Sequence, residues 1–179
     1  MATATIFIDG EHGTTGLEIR QRLDALPQYE VKSIAPELRK DAAARRAMME
    51  SVDLVVLCLP DDAAKEAAAM AEAMGDAAPR LLDASTAHRV APGWAYGFPE
   101  LTPEQGALIA RAKRVSNPGC YPTGAIALIR PLVDAGLVPA DHPLSVNAVS
   151  GYSGGGKAMI EQYEAGQGPV FDIYGLSLT

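Results

Sequence analysis

Two stretches of this chain combine residue types that can do chemistry. The first is SNPGCYPTG, residues 116–124, in which Cys120 follows Pro118 and Gly119 and precedes Pro122. A thiol between a Pro-Gly turn and a helix beginning near Pro122 lies at the positive end of the helix dipole. Unpaired N–H groups there stabilise a thiolate, and the same groups can receive the oxyanion of a tetrahedral intermediate. Gly119 and Gly124 leave room for a substrate. Alone, such a cysteine also reads as a packed helix-start thiol, and it is the second stretch that turns the reading toward a nucleophile. Cys58 is the contrast: it lies inside the apolar run VDLVVLCLP (52–60), with no helix end or cation beside it, and reads as packing.

The second stretch is DGEHGTTG, residues 9–16, which follows the strand-like ATIFID and opens a helical pattern. That is the setting in which a glycine loop holds a dinucleotide. Its spacing, Gly10-x-x-Gly13-x-x-Gly16, only approximates the general fingerprint, but the physics is shared. Glycines permit close backbone approach, and N–H groups at the helix start face the diphosphate. Thr14 and Thr15 add hydroxyl donors, and a tight turn without a ligand is the alternative. No acidic residue closes VKSIA (31–35) to take a ribose 2′-hydroxyl, whereas Ser33, Arg39 and Lys40 can meet a 2′-phosphate, which favours NADP over NAD. Arg39 and Lys40 read equally as a solvated helix start. A nucleophilic thiol beside a nicotinamide points to reduction through a thioester: the thiolate displaces phosphate from an acyl phosphate, hydride is added, and the hemithioacetal collapses to an aldehyde.

The elements needed to position these groups follow from periodicity. Strands are expected at 4–9, 29–34, 53–59 and 80–85, with helices at 17–26, 39–50 and 62–74 between them. Continuous apolar strands alternating with helices indicate an α/β fold, a Rossmann-type, mostly parallel sheet with helices on both faces. Residues 87–106 read as loops, followed by a short helix (103–112), a strand (113–116), the cysteine turn, a helix (122–136) and a strand LSVNAV (144–149). The glycine-rich remainder, 151–179, shows no convincing core. The division expected is a dinucleotide-binding domain over 1–117 and an incomplete catalytic domain over 118–179.

Composition narrows the function classes. A net charge of −7 offers no basic stripe for nucleic acid. The longest apolar run falls well short of the roughly 20 residues needed to cross a bilayer. The N-terminus has no leader-like pattern, so a cytoplasmic location is expected, with both cysteines as free thiols. No Cys/His pairs stand at metal-ligand spacing, and no metal is expected.

With these residues in view, the chain resembles the N-acetyl-gamma-glutamyl-phosphate reductases, in particular their shorter-chain branch. SNPGCYPTG resembles their active-site segment and GEHGTTG their cofactor loop. DASTAHR (83–89) with YGFPE (96–100), and SGYSGGGK (150–157), are similar to further family stretches. The resemblance implies a semialdehyde-dehydrogenase-like α/β catalytic domain beginning after the sheet, NADPH as cofactor, an acyl phosphate as substrate, and a homo-oligomer, a tetramer. It implies Cys120 as nucleophile, and Gly10, Gly13, Thr14, Thr15 and Gly16 at the cofactor diphosphate. Ser85 and Arg89 would lie near the substrate phosphate, and Ser153, Gly154 and Lys157 near the nicotinamide and substrate. Taken alone, DASTAHR also reads as a strand end with a surface arginine and YSGGGK as an exposed loop, while Asp83 reads as structural.

One part of the family pattern is missing. The resemblance implies a histidine that handles protons, in a K-H-x-P-E type stretch after a segment like YGLSL (174–178). His12, His88 and His142 match no such motif, and of these His88 is the one expected nearest the substrate. The expectation is therefore a fragment that lacks its base and is inactive alone. An aspartate-semialdehyde or lysine-pathway reductase of the same chemistry, or a non-catalytic dinucleotide-binding module, are the alternatives. A cysteine hydrolase is less favoured, having no use for the glycine loop.

Overall fold

A computed structural model of the protein describes residues 4–168, together with Phe171 and Ile173. The chain divides into two compact units, residues 1–145 and 146–179.

The larger unit is built on a six-stranded sheet. Its strands are β1 (Ala4–Asp9), β2 (Tyr29–Lys32), β3 (Leu54–Leu57), β4 (Arg80–Asp83), β5 (Ala95–Tyr96) and β6 (Arg114–Ser116). They run in the order β2-β1-β3-β4-β6-β5, and every neighbouring pair is parallel. The α-helices of this unit are α1 (Thr14–Asp24), α2 (Ala42–Glu50), α3 (Asp61–Glu72), α4 (Gln105–Arg111) and α5 (Cys120–Asp134). Parallel strands need helical crossovers, and the period-two alternation of the strands divides the core between two faces. Ile6, Ile8 and Val56 pack with Ile19 and Leu23 of α1 on one face. Phe7, Val55, Leu57 and Leu81 pack with Met49 of α2 and Ala64, Ala67 and Ala71 of α3 on the other. Helices on both faces of a parallel sheet is the expected architecture. Among the described residues no helix is long and apolar enough to cross a membrane.

Several boundaries differ from the sequence reading, each for a local reason. The second helix starts at Ala42 because the Asp41 side chain caps it, accepting from the Ala44 N–H at 2.8 Å; a short 3-10 turn, Pro36–Leu38, precedes it. Within the expected loop 87–106, Ala95–Tyr96 joins the sheet edge beside β6. Helix α5 begins at Cys120, two residues before the expected Pro122, because Gly119 is already its cap. LSVNAV has a strand-like pattern but forms no strand: no described strand lies alongside to share its hydrogen bonds, and residues 144–149 are exposed throughout. The smaller unit, whose residues 151–179 show no convincing core in the sequence, has a 3-10 turn at Tyr152–Gly155 and a helix, α6 (Gly156–Glu164), with Tyr152 stacked on Tyr163 at 4.9 Å.

A buried ion pair fixes the end of β1. Arg45 of α2 donates to Asp9 Oδ2 through Nη2 at 2.7 Å and Nε at 3.1 Å, both residues being buried. Burial raises the Asp9 carboxyl above its ordinary value, against the opposing hydrogen bond and charge of Arg45. The folded chain thus holds this proton more tightly than the unfolded one. Ionisation of Asp9 therefore withdraws stability as pH rises from 3.8 through the raised value. Arg45→Met leaves the carboxylate buried without its cation and is expected to cost about 3 kcal/mol near neutral pH. In urea unfolding the deficit should shrink as pH falls into the carboxylate range and Asp9 protonates; a deficit independent of pH would contradict this account.

Candidate active site

The glycine loop leaves the carboxyl end of β1, next to the point where chain connections diverge to β2 on one side and β3 on the other. Crevices at such a switch point are where parallel α/β sheets take ligands. Gly10 has φ of +93°, and a Cβ there would lie 2.2 Å from the Cys58 carbonyl oxygen. A Cβ on Gly16 would lie 2.4 Å from the Gly10 carbonyl oxygen, so α1 is seated directly on the turn. Gly13 caps α1 without a side-chain hydrogen bond, and Thr14 and Thr15 are exposed in its first turn. A groove of about 230 Å³ opens here, lined by Gly10, Glu11, Gly13, Arg39, Lys40 and Leu59 among others. Its fit to a nucleotide diphosphate rests on that uncapped helix start and on the glycine cradle.

Ser33, expected within the second strand, lies just beyond β2, which ends at Lys32, and it has partners that local spacing did not reveal. Its hydroxyl accepts from Arg20 Nη1 at 2.7 Å and donates to Glu11 Oε2 at 2.8 Å; Glu11 and Arg20 are themselves paired at 3.2 Å. The carboxylate beside Ser33 is therefore matched by a cation. Helix geometry gives a partial clue, since Arg20 lies on α1 and is held at Nε by Asp24 four residues on.

The cysteine turn is built at the end of β6. The Asn117 N–H donates to the Asp83 carbonyl at 2.7 Å, which prolongs the β4–β6 pairing up to the turn. Cys120 is the first residue of α5, with an exposed side chain, and Gly119 supplies no side-chain cap. Thr123 closes the first turn through its hydroxyl, donating to the Gly119 carbonyl at 2.8 Å. The Arg89 guanidinium lies against this turn: a Cβ on Gly119 would be 2.8 Å from Arg89 Nη1 and 3.3 Å from Cζ. Arg89 Nε is buried and has no hydrogen-bond partner. Cys58 contrasts with Cys120. Burial, and then the charges of Asp83 and Asp9, push its thiol up to about 11, so it stays protonated near neutral pH.

The loop carrying Arg89 is tied down along its length. Asp83 is fully buried and accepts from the Ser85 hydroxyl at 2.8 Å and the Ser85 N–H at 2.9 Å. Its Oδ2 also meets His88 Nδ1 at 2.5 Å, and the His88 ring stacks on Trp94 at 4.1 Å. Thr86 is held by Asp61 through both its N–H and its hydroxyl. These hydrogen bonds draw the Asp61 carboxyl below its ordinary value. Ser85 is buried, and its hydroxyl, which also accepts from the Ala87 N–H at 3.1 Å, is engaged within the loop. His12 and His142 are exposed. In the smaller unit, Ser153 and Gly154 lie on the 3-10 turn and Lys157 in the first turn of α6, where it faces Glu161 at 3.6 Å. The YGLSL stretch (174–178) lies outside the described residues.

Comparison with known proteins bears on both halves. A family model described as "Semialdehyde dehydrogenase, NAD binding domain" matches residues 35–109, and one described as "Semialdehyde dehydrogenase, dimerisation domain" matches residues 120–177. Both matches are to models of the semialdehyde dehydrogenase family. The first match takes in Arg39, Asp83, His88 and Arg89, and the second begins at Cys120 itself. The chain is 56% identical, over 99% of its length, to an N-acetyl-gamma-glutamyl-phosphate reductase of Chelativorans sp., and 52% identical, over its whole length, to N-acetyl-gamma-glutamyl-phosphate reductase 2 of Pseudomonas putida. It spans 57% of the length of each of these relatives. Among solved structures, aspartate semialdehyde dehydrogenase II of Vibrio cholerae aligns with a TM-score of 0.65 at 16% identity, covering 99% of this chain and 57% of that one. Aspartate semialdehyde dehydrogenase of Francisella tularensis aligns with a TM-score of 0.59 at 17% identity, over 89% of this chain and 48% of that one. Those likenesses speak for the semialdehyde dehydrogenase fold.

Proposed function

We propose that this chain is the cofactor- and nucleophile-bearing part of an N-acetyl-gamma-glutamyl-phosphate reductase, which reduces the acyl phosphate to N-acetylglutamate semialdehyde and phosphate in arginine biosynthesis. The observation that supports this most is the exposed Cys120 at the start of α5, with the Arg89 guanidinium against its turn and on the same sheet as the glycine groove. The chain's own residues account for the first half of the reaction. The Cys120 thiolate attacks the acyl carbon, the carbon–oxygen bond to phosphate breaks, and phosphate leaves with that electron pair. Arg89 and the α5 helix start carry the negative charge that develops on the phosphate and the carbonyl oxygen. When bound, the reduced nicotinamide supplies the hydride that the thioester carbon accepts. The carbon–sulfur bond then breaks, which releases the aldehyde and returns the thiolate.

In this reading Gly10, Gly13, Thr14, Thr15 and Gly16 hold the diphosphate. Ser33 and Arg39, with Arg20 and Lys40, meet the 2′-phosphate of NADP. Ser85 supports the phosphate loop from inside, Ser153 and Gly154 bind the cofactor, and Lys157 binds the substrate. The dinucleotide-binding domain ends near residue 117 and the catalytic domain starts at 118. The enzyme works in the cytoplasm as a homo-oligomer, a tetramer; the exposed Leu128 and Leu132 of α5 are apolar surface suited to further packing. The test is phosphate-requiring, NADP-linked oxidation of two semialdehydes by the full-length enzyme that carries these residues. N-acetylglutamate semialdehyde is expected to be oxidised at least about a hundredfold more efficiently than aspartate semialdehyde. A preference for the aspartate compound would overturn the proposal.

A further inference from the structure

Arg89 raises a problem that its own hydrogen bonds do not solve. Its Nε is buried without a partner, yet its guanidinium is held against Gly119 at the cysteine turn. A long, flexible cation stays in such a place only if the loop beneath it is rigid. Ties from β3–α3 and β6 reach the loop at Thr86 and at the Arg89 carbonyl, which accepts from Ser116 Oγ at 3.2 Å. The residue that immediately precedes Arg89 has its side chain held on two sides. One ring nitrogen of His88 meets the fully buried Asp83, and its face lies on Trp94, with the rings 13° from parallel.

We infer that Asp83 and His88 form a positioning pair for Arg89: the hydrogen bond to His88 Nδ1, backed by the Trp94 stack, aims the arginine at the anion bound beside Cys120. The inference rests on the proposed role of Arg89 as a phosphate ligand and extends it to the preceding side chain, whose ring is engaged by Asp83 and Trp94. Asp83 is suited to anchor the pair because β4 holds its backbone on both sides in the middle of the sheet. Its carboxylate lies in a protein interior where a hydrogen bond to a charged group carries more weight than on the surface. With Nδ1 committed to Asp83, the ring cannot swing, and the backbone of residue 89 leaves in one direction only.

The test uses alkylation of Cys120 by iodoacetamide, with iodide as leaving group, and asks how much inorganic phosphate half-protects the thiol in the full chain. The half-protecting concentration reports anion affinity and is independent of the unprotected rate. In His88→Asn the amide nitrogen falls near the Nδ1 position and keeps the bond to Asp83; in His88→Gln it falls near Nε2 and loses it. Both variants lose the ring stack equally, so their difference isolates the hydrogen bond. The glutamine variant is expected to need about tenfold more phosphate than the native chain, and the asparagine variant within about threefold. A purely structural role would lower the urea midpoint of both variants without separating their phosphate requirements. If the glutamine variant does not fold, His88→Phe, which keeps the stack and loses the bond, takes its place. Equal phosphate requirements for the bond-keeping and bond-losing variants would overturn the inference while leaving the role of Arg89 intact. Normal protection in Arg89→Ala would overturn both.

Discussion

Cys120→Ser is expected to lower turnover of the full-length enzyme by about a thousandfold or more while leaving NADPH affinity within about twofold of native. The exposed side chain stands at the first position of α5 and contributes nothing to the core, so the substitution leaves the fold alone. What it removes is the nucleophile. A serine hydroxyl at the same helix start is barely ionised near neutral pH, and no histidine among the described residues is bonded to Cys120 to activate it. The dinucleotide groove is lined by the end of β1 and the turn after it, with Ile34, Arg39, Lys40 and Leu59, and by no residue of the cysteine turn, which is why binding should survive. Turnover and cofactor titration on one preparation separate the two outcomes. Substantial residual activity would mean that the thiol is not the acyl acceptor.

The second large effect concerns Gly10. Its positive φ is strained for any L side chain, and an alanine Cβ would meet the Cys58 carbonyl oxygen at 2.2 Å and its carbon at 2.9 Å. Neither atom is the end of a flexible side chain; both belong to the strand end that carries Leu59 into the groove. Gly10→Ala is therefore expected to destabilise the chain by about 3 kcal/mol or more and to weaken NADPH binding at least about tenfold. Gly13→Ala provides the control. At φ −78° and ψ 165° alanine is unstrained, and its Cβ would rest at an ordinary 3.4 Å from the Gly10 carbonyl oxygen. It should fold nearly as well as the native chain, so any loss of NADPH affinity reports close approach by the ligand. Urea unfolding and fluorescence titration of both variants measure this. A Gly10→Ala chain of native stability would contradict the geometry.

The parallel sheet is legible in the sequence because β1, β3 and β4 are buried on both faces and read as short apolar runs, with helical periodicity between them. The cysteine turn is legible because Pro118, Gly119 and Pro122 leave few ways to start α5. Partners distant in sequence are not legible. Arg45 finds Asp9 across 36 positions, and Arg89 reaches a turn thirty residues on only because β4 and β6 are neighbours. The Glu11–Ser33–Arg20 cluster likewise needs β2 paired with β1 before its members meet. LSVNAV shows the converse. Its alternation is that of a strand, but pairing is a property of two segments, and no described strand lies beside it.

The central claim is that Cys120 takes the acyl group before any reduction occurs. The most direct measurement mixes the full-length enzyme with N-acetyl-gamma-glutamyl phosphate in the absence of NADPH, quenches in acid and analyses peptide masses. The expected result is one acyl group on the peptide containing Cys120, none on Cys58, and an equal amount of phosphate released. Phosphate released only after NADPH is added, with Cys120 unmodified, would contradict it.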